Sequence, residues 1–292
     1  MLGDAGIRLG HTALNWDPYS DPRNLTACVA DAAAFGFMGI ETGGEQTDLL
    51  EELAPGELRE ALHEHDIVMA ALYQDGDWTD PGARSGLIED AKRWSERLRE
   101  LGGDLLMVVP GEKSPGVSYG WSAFEVMAET MNLAGQESQA AGVRCAMHPH
   151  WGTVVETRLE IDTLLRMLDN SVVGFAPDSG QIAKGGADPV DVVNDWKDRV
   201  QHVHLKDVDP RWPEMRARGA KLESPEGYCT LGDGIVRLEA FLDAVINSGF
   251  DGWIMAEIDE TDLPPLDVAK RHARFLRTYG NAHSQTWEFL RC

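Results

Sequence analysis

Cysteine is scarce in this chain, basic residues are outnumbered, and no long hydrophobic run occurs. The four cysteines, Cys28, Cys145, Cys229 and Cys292, are scattered and form no CxxC pair. That excludes a disulfide framework and a structural zinc site of the usual spacing. Cys145 lies in an apolar run and reads as a small core residue. Lys and Arg number 26 against 49 Asp and Glu, a formal charge of -23. Phosphate backbones and anionic membranes need a basic footprint, so neither nucleic acid nor a membrane is an expected partner. No apolar stretch reaches membrane-spanning length, and the N-terminus lacks a basic patch followed by an apolar run. These absences together lead to the expectation of a cytoplasmic protein.

What is present is an alternation. The chain has 292 residues, 43% of them hydrophobic, enough for a sizeable core. Short apolar runs cover Ile7–His11, Phe37–Glu41, Ile67–Tyr73, Leu105–Pro110, Val143–His148, Val172–Pro177, Val200–Leu205 and Trp253–Glu257. They do not alternate with polar residues, the pattern of parallel strands covered on both faces. Helical spacing fills the gaps, over Leu25–Phe35, Asp90–Leu101, Ser122–Ala141, Leu159–Leu168, Val190–Trp196, Leu238–Asn247 and Pro265–Tyr279. Thr157 with Glu160 predicts a capping box, and Asp188-Pro189 a cap followed by a first-turn proline. Eight strands with helical segments between them predict an α/β fold, one (β/α)8 TIM barrel over 1–280, with a C-terminal tail over 281–292. Two long loops, Gly111–Tyr119 and Val208–Gly234, are expected lids or subunit contacts, and the aromatic tail is a second place for a homo-oligomer contact.

The strand ends are rich in ionisable groups. The first ends at His11, the second at Glu41, the third at Tyr73-Gln74 and the fifth at His148 and His150, with Glu156 beyond. The sixth ends at Asp178 and Gln181, the seventh at His204, Lys206 and Asp207, and the eighth at Glu257 and Asp259. In this architecture that rim carries the active site. One carboxylate at a strand end is ordinarily a cap or a salt bridge. Asp178, His204 and Glu257 on three successive strand ends are harder to assign to capping. Such a mixed oxygen–nitrogen set suits Mn²⁺, Co²⁺, Zn²⁺, Fe²⁺ or Mg²⁺. His202 shares a strand face with His204, lies deeper and reads as structural. His63, His65, His272 and His283 fall in helical or tail segments and are expected at the surface.

These motifs resemble the sugar phosphate isomerase/epimerase superfamily with its xylose isomerase-like barrel, and within it the inosose dehydratase-like branch. The likeness runs from Gly10 to Tyr279. It is carried by His148-Pro149-His150-Trp151-Gly152-Thr153-Val154-Val155-Glu156-Thr157, Pro177-Asp178-Ser179-Gly180-Gln181, His202-Val203-His204-Leu205-Lys206-Asp207, Leu231-Gly232-Asp233-Gly234 and Gly252-Trp253-Ile254-Met255-Ala256-Glu257. The resemblance implies one divalent metal, Mn²⁺ first among the choices, held by Asp178, His204, Glu257 and a fourth ligand. Glu156 is the expected fourth, with His148 or His150 as the alternative, because many members have Glu where this chain has His148. Gln181 is a departure from an Asp-x-x-His pattern, and an amide cannot take a proton.

The reaction so implied is proton abstraction beside the carbonyl of a keto-sugar or keto-cyclitol, with the metal as Lewis acid. His148 or His150 serves as base, and Lys206 protonates or electrostatically holds the leaving oxygen. Trp16 and Trp151 offer ring faces to the substrate, and Glu41 and Gln181 bind hydroxyls. Departure of a β-hydroxyl gives an inosose dehydratase-like lyase, the leading expectation. Return of the proton elsewhere gives an isomerase or epimerase, and loss of an aglycone gives a 3-keto-glycoside lyase. A DNA-acting barrel of the same fold is disfavoured by the charge, and a non-catalytic sugar-binding or partner subunit stays open.

Overall fold

The computed structural model describes residues 6–114, 116–218 and 227–283. Its barrel strands are β1 (Arg8–Thr12), β2 (Gly39–Gly43), β3 (Val68–Gly76), β4 (Leu105–Pro110), β5 (Arg144–Met147), β6 (Gly174–Phe175), β7 (Val203–Leu205) and β8 (Trp253–Ala256). From β1 to β6 each strand pairs in parallel with its sequence neighbour, as does β7 with β8, and β8 returns to β1. The seam between β6 and β7 is closed by parallel bridges at Phe175–Val200 and Asp178–His204. Eight strands thus form the closed barrel expected from the sequence.

The helices are α1 (Asn24–Ala34), α2 (Gly44–Leu53), α3 (Glu57–Glu64), α4 (Arg84–Glu100), α5 (Trp121–Ala140), α6 (Arg158–Met167), α7 (Ser179–Lys184), α8 (Pro189–Trp196), α9 (Trp212–Ala217), α10 (Leu238–Asn247) and α11 (Pro265–Ala282). The Thr157 capping box forms as predicted, and Asp188 caps α8 ahead of Pro189. Helices α2, α3, α7 and α9 were not legible; α2 is largely polar, and α7 and α9 are six residues each. Cys145 is buried between barrel and helices. The last helix continues through Asn281 and Ala282, past the expected boundary at 280. The rest of the tail, 284–292, lies outside the described residues.

After β7 the chain makes a short antiparallel hairpin, Asp207–Val208 with Tyr228–Cys229. Asp207 ties the hairpin to the segment beyond it: its carboxylate accepts N–H groups from Val208, Gly232, Gly234 and Val236. A Cβ at Gly234 would lie 2.2 Å from that carboxylate, so the second glycine of the Leu-Gly-Asp-Gly motif is required by close approach. This hairpin brings Tyr228 over the barrel mouth. Among the described residues no helix is long and apolar enough to cross a membrane.

Candidate active site

A cavity of about 470 Å³ opens at the C-terminal ends of the strands, the size of a small-molecule site. Its lining includes Tyr73, His148, His150, Trp151, His204, Glu257 and Asp259 from the expected strand ends and motifs, together with Tyr19, Asp75, Glu112 and Tyr228. Beneath it lies a knot of buried charge. The Asp178–His204 bridge fixes two of its members side by side through the backbone, the His204 N–H donating to the Pro177 carbonyl at 2.9 Å. The N–H of Glu257 donates to the Leu205 carbonyl at 3.0 Å, which sets the third beside them.

His204 is the centre. Its Nδ1 lies 2.6 Å from Glu257 Oε2 and 3.8 Å from Asp178 Oδ2, and its Nε2 lies 2.9 Å from Glu41 Oε1. Asp178 uses Oδ1 to cap α7 through the Gln181 N–H and keeps Oδ2 toward the knot. Lys206 Nζ sits 3.2 Å from Asp178 and 3.1 Å from Glu257, and it also bonds Asp259. Burial alone would depress the His204 pKa, yet Glu257 and Glu41 hold it well above the ordinary value. The same balance applies at Lys206: burial lowers its pKa, but Asp178, Asp259 and Glu257 drive it above the usual lysine range.

This balance of charge bears on a metal ion. Asp178, Glu257 and Asp259 surround Lys206, and Glu41 adds a fourth carboxylate, itself buried, on the far side of His204, an excess of negative charge that is consistent with the raised His204 pKa. The same potential favours a cation. Asp178 Oδ2, His204 Nδ1 and Glu257 Oε2 make ion-pair contacts but no directed hydrogen bond. His148, Asp178 and His204 each bring one ligand atom within 4.8 Å of the others, as do Glu41, His202 and His204. The donor set therefore fits a divalent ion of the oxygen–nitrogen class.

The two strand-five imidazoles share a tautomer and differ in burial and neighbours. His148 Nδ1 contacts the Ala176 carbonyl at 3.2 Å and His150 Nδ1 the Trp151 carbonyl at 2.8 Å. A carbonyl only accepts, so both Nδ1 atoms carry the proton and both Nε2 atoms present a lone pair. His148 is buried and grouped with Asp178 and His204, and burial first, then His204, holds its pKa well below the ordinary value. His150 is more open, its side chain 36% exposed, with Nε2 3.8 Å from Asp259 Oδ2.

Several expected site residues lie elsewhere. Glu156 joins neither ligand group: Lys113 holds one oxygen at 2.7 Å and the Gly152 N–H donates to the other at 2.9 Å, so the carboxylate closes the loop after β5. Glu41 is fully buried beneath the cavity and bonds His202 at 2.7 Å, which leaves it no access to a substrate hydroxyl. Trp16 packs on His11 and donates to Asp31, away from the lining. Gln181 is also off the lining; its amide bonds Trp151, Tyr228 and Asp259. Lys206 is enclosed and off the cavity lining, and against burial Asp178, Asp259 and Glu257 drive its pKa upward, which suits an electrostatic role better than proton donation. His272 is fully buried, because α11 turns it inward against His11; their rings stack at 5.1 Å. His202 is fully buried below His204 and bonds Glu41 at 2.7 Å.

Asp75 lies on β3 two residues beyond Tyr73, so strand periodicity could have found it; Asp259 stands on the expected rim with no role assigned to it. Tyr228 has no such signal, since it arrives from the hairpin beyond a long loop.

Comparison with known proteins gives three findings. A family model described as "Xylose isomerase-like TIM barrel" matches residues 29–279. Among curated relatives, the inosose dehydratase of Clostridium beijerinckii is 26% identical over 301 residues, covering 95% of this chain and 98% of its own. That of Geobacillus kaustophilus is 26% identical over 304 residues, covering 94% and 93%. Among solved structures, the probable 3-DHS dehydratase AsbF of Bacillus anthracis superposes with a TM-score of 0.74 at 16% identity, over 92% of this chain and 98% of that one. A D-allulose 3-epimerase from Methylomonas sp., solved with D-allulose, gives 0.74 at 18% identity over 94% and 98%. At these identities the structural likeness concerns the fold.

Proposed function

The chain belongs to the xylose isomerase-like TIM barrel family, and we propose that it is a divalent-metal-dependent lyase that dehydrates a keto-cyclitol or keto-sugar. The chain is an enzyme of the lyase or isomerase/epimerase kind by its relatives, inosose dehydratases that it matches over nearly their whole length. The observation that carries the finer reading is the division of labour between two histidines of fixed tautomer. His148 joins Asp178 and His204 in one buried group, and His150 offers a free Nε2 lone pair at the cavity wall.

In this reading His148, Asp178, His204 and Glu257 hold the ion, with Mn²⁺ the first choice of metal. His148 takes the strand-five place expected of Glu156. When bound, the ion supplies Lewis-acid polarisation of the substrate carbonyl. His150 Nε2 removes the proton from the carbon beside that carbonyl, and the electron pair forms the new C=C bond as the β-hydroxyl leaves. The imidazolium then returns its proton to the departing hydroxyl, so water is lost and the imidazole is regenerated. Asp259 Oδ2 lies 3.8 Å from His150 Nε2, a carboxylate facing the base. Trp151, on the cavity lining, offers apolar surface to the C–H side of the substrate, and Lys206 contributes positive charge under the site. The reading places the enzyme in the cytoplasm, in keeping with free thiols at Cys28, Cys145 and Cys229. The expected homo-oligomer is carried as part of the same proposal and is decided by light scattering.

Incubation of metal-loaded protein with 2-keto-myo-inositol tests the reaction. A lyase generates ultraviolet absorbance from a conjugated product. No absorbance change, with exchange of a carbon-bound proton for deuterium, would overturn the lyase in favour of an epimerase.

A further inference from the structure

Gln181 lies three residues after Asp178, where the resemblance implies a histidine, and its amide joins separate segments of the chain. Its Oε1 accepts the Trp151 N–H at 2.9 Å, from the loop after β5, and the Tyr228 hydroxyl at 2.5 Å, from the hairpin. Its Nε2 donates to Asp259 Oδ2 at 3.0 Å, beyond β8. Gln181 itself is on α7 and 1% exposed. Two donors meeting at one end leave only one way round for the amide: oxygen toward Trp151 and Tyr228, nitrogen toward Asp259.

Asp259 stands on the expected rim but was assigned no part in the reaction. Its Oδ1 bonds Lys206, its Oδ2 accepts from Gln181, and the same Oδ2 lies 3.8 Å from His150 Nε2. A carboxylate on a loop after a strand has rotamer freedom that must be removed if it is to face two partners at once. Tyr228 in turn is held by its ring, 5.0 Å from Lys206 Nζ and 4.0 Å from Lys184 Nζ.

We propose that Gln181 is a positioning residue: its amide, oriented by Tyr228 and Trp151, holds Asp259 in the rotamer that faces Lys206 and His150 together. Resting on the lyase reading, this assigns the departure from Asp-x-x-His a purpose that needs no proton transfer. A neutral histidine at this place keeps the essential pair of bonds, one ring nitrogen donating to Asp259 and the other accepting from Tyr228, and gives up only the third. The chain of contacts runs Tyr228 to Gln181 to Asp259 to His150, and its members act as one unit.

Coupling is the test. Gln181→Ala is expected to lower kcat by about 30-fold with KM within about 3-fold, because it misplaces a group that supports the base without removing a substrate contact. Tyr228→Phe is expected to lower kcat by about 5-fold, and the double variant to match Gln181→Ala within about 2-fold, the non-additivity of a shared path. Gln181→His is expected to keep kcat within about 5-fold of the parent. Multiplicative losses, a rise in KM equal to the fall in kcat, or no rescue by histidine would overturn the proposal. If the parent protein does not turn over 2-keto-myo-inositol, the lyase reading falls by itself. A crystal structure of Gln181→Ala then decides the clamp: Asp259 turned away from His150 supports it, and Asp259 unmoved overturns it.

Discussion

His204 and Glu41 stand 2.9 Å apart in the barrel interior, with the other nitrogen of the same imidazole 2.6 Å from Glu257. Glu41 lies beneath the cavity and grips His202 as well, so it orients the His204 ring from behind instead of meeting a substrate. Carboxylate support of this kind fixes ring orientation and raises ligand basicity.

Glu41→Gln is therefore expected to weaken metal binding by roughly 10- to 100-fold while the barrel stays folded. Titration calorimetry with Mn²⁺, alongside circular dichroism, reads the two effects separately. Unchanged affinity in a folded variant would show that Glu41 serves the core alone.

The two strand-five histidines are expected to fail differently. His148→Ala loses the ion, read by elemental analysis after dialysis. His150→Gln keeps it and loses about 10²- to 10⁴-fold in kcat, the usual worth of a positioned acid–base group. Loss of metal from the His150 variant would reverse the assignment.

Most of the barrel was legible because each buried strand is a short apolar run closed by a turn signal, and parallel pairing needs nothing more specific. The site was legible where a residue ends its own strand, as Asp178, His204 and Glu257 do. It was not legible where partners come from distant segments. Glu156 looks like a ligand in its motif, but Lys113, over forty residues upstream in the chain, claims it. Glu41 and Gln181 look like substrate groups until His202 and Tyr228 arrive from other elements. His272 sits on an amphipathic helix, and only the packing of α11 on β1 reveals which face is inward.

Acid should destabilise the fold through that last pair. His11 is fully buried, and burial lowers its pKa to about 4 from 6.5, against the weaker pull of Thr12 and Glu257. The folded pKa lies below the unfolded one, so the unfolded chain binds the proton first as pH falls. Stability is present above pH 6.5 and is lost progressively toward pH 4. Between pH 7 and pH 5 this one group accounts for about 2 kcal/mol. Urea unfolding of the parent and of His11→Gln at both pH values checks it: the gap in stability between them should narrow at pH 5, and a constant gap would refute it.

Thr157→Ala is expected to cost about 1 kcal/mol by removing both halves of the capping box at α6. The measurement is the shift in urea midpoint, with kcat unchanged, since Thr157 lies outside the cavity lining. A fall in kcat at constant stability would place α6 in the reaction.

The most direct test is ion stoichiometry in the parent chain and in Asp178→Asn, measured by Mn²⁺ titration with elemental analysis of the dialysed protein. The account predicts one ion per chain in the parent and none retained in the variant. Equal retention by both, or no binding by the parent, would contradict a metal centre at Asp178, His204 and Glu257.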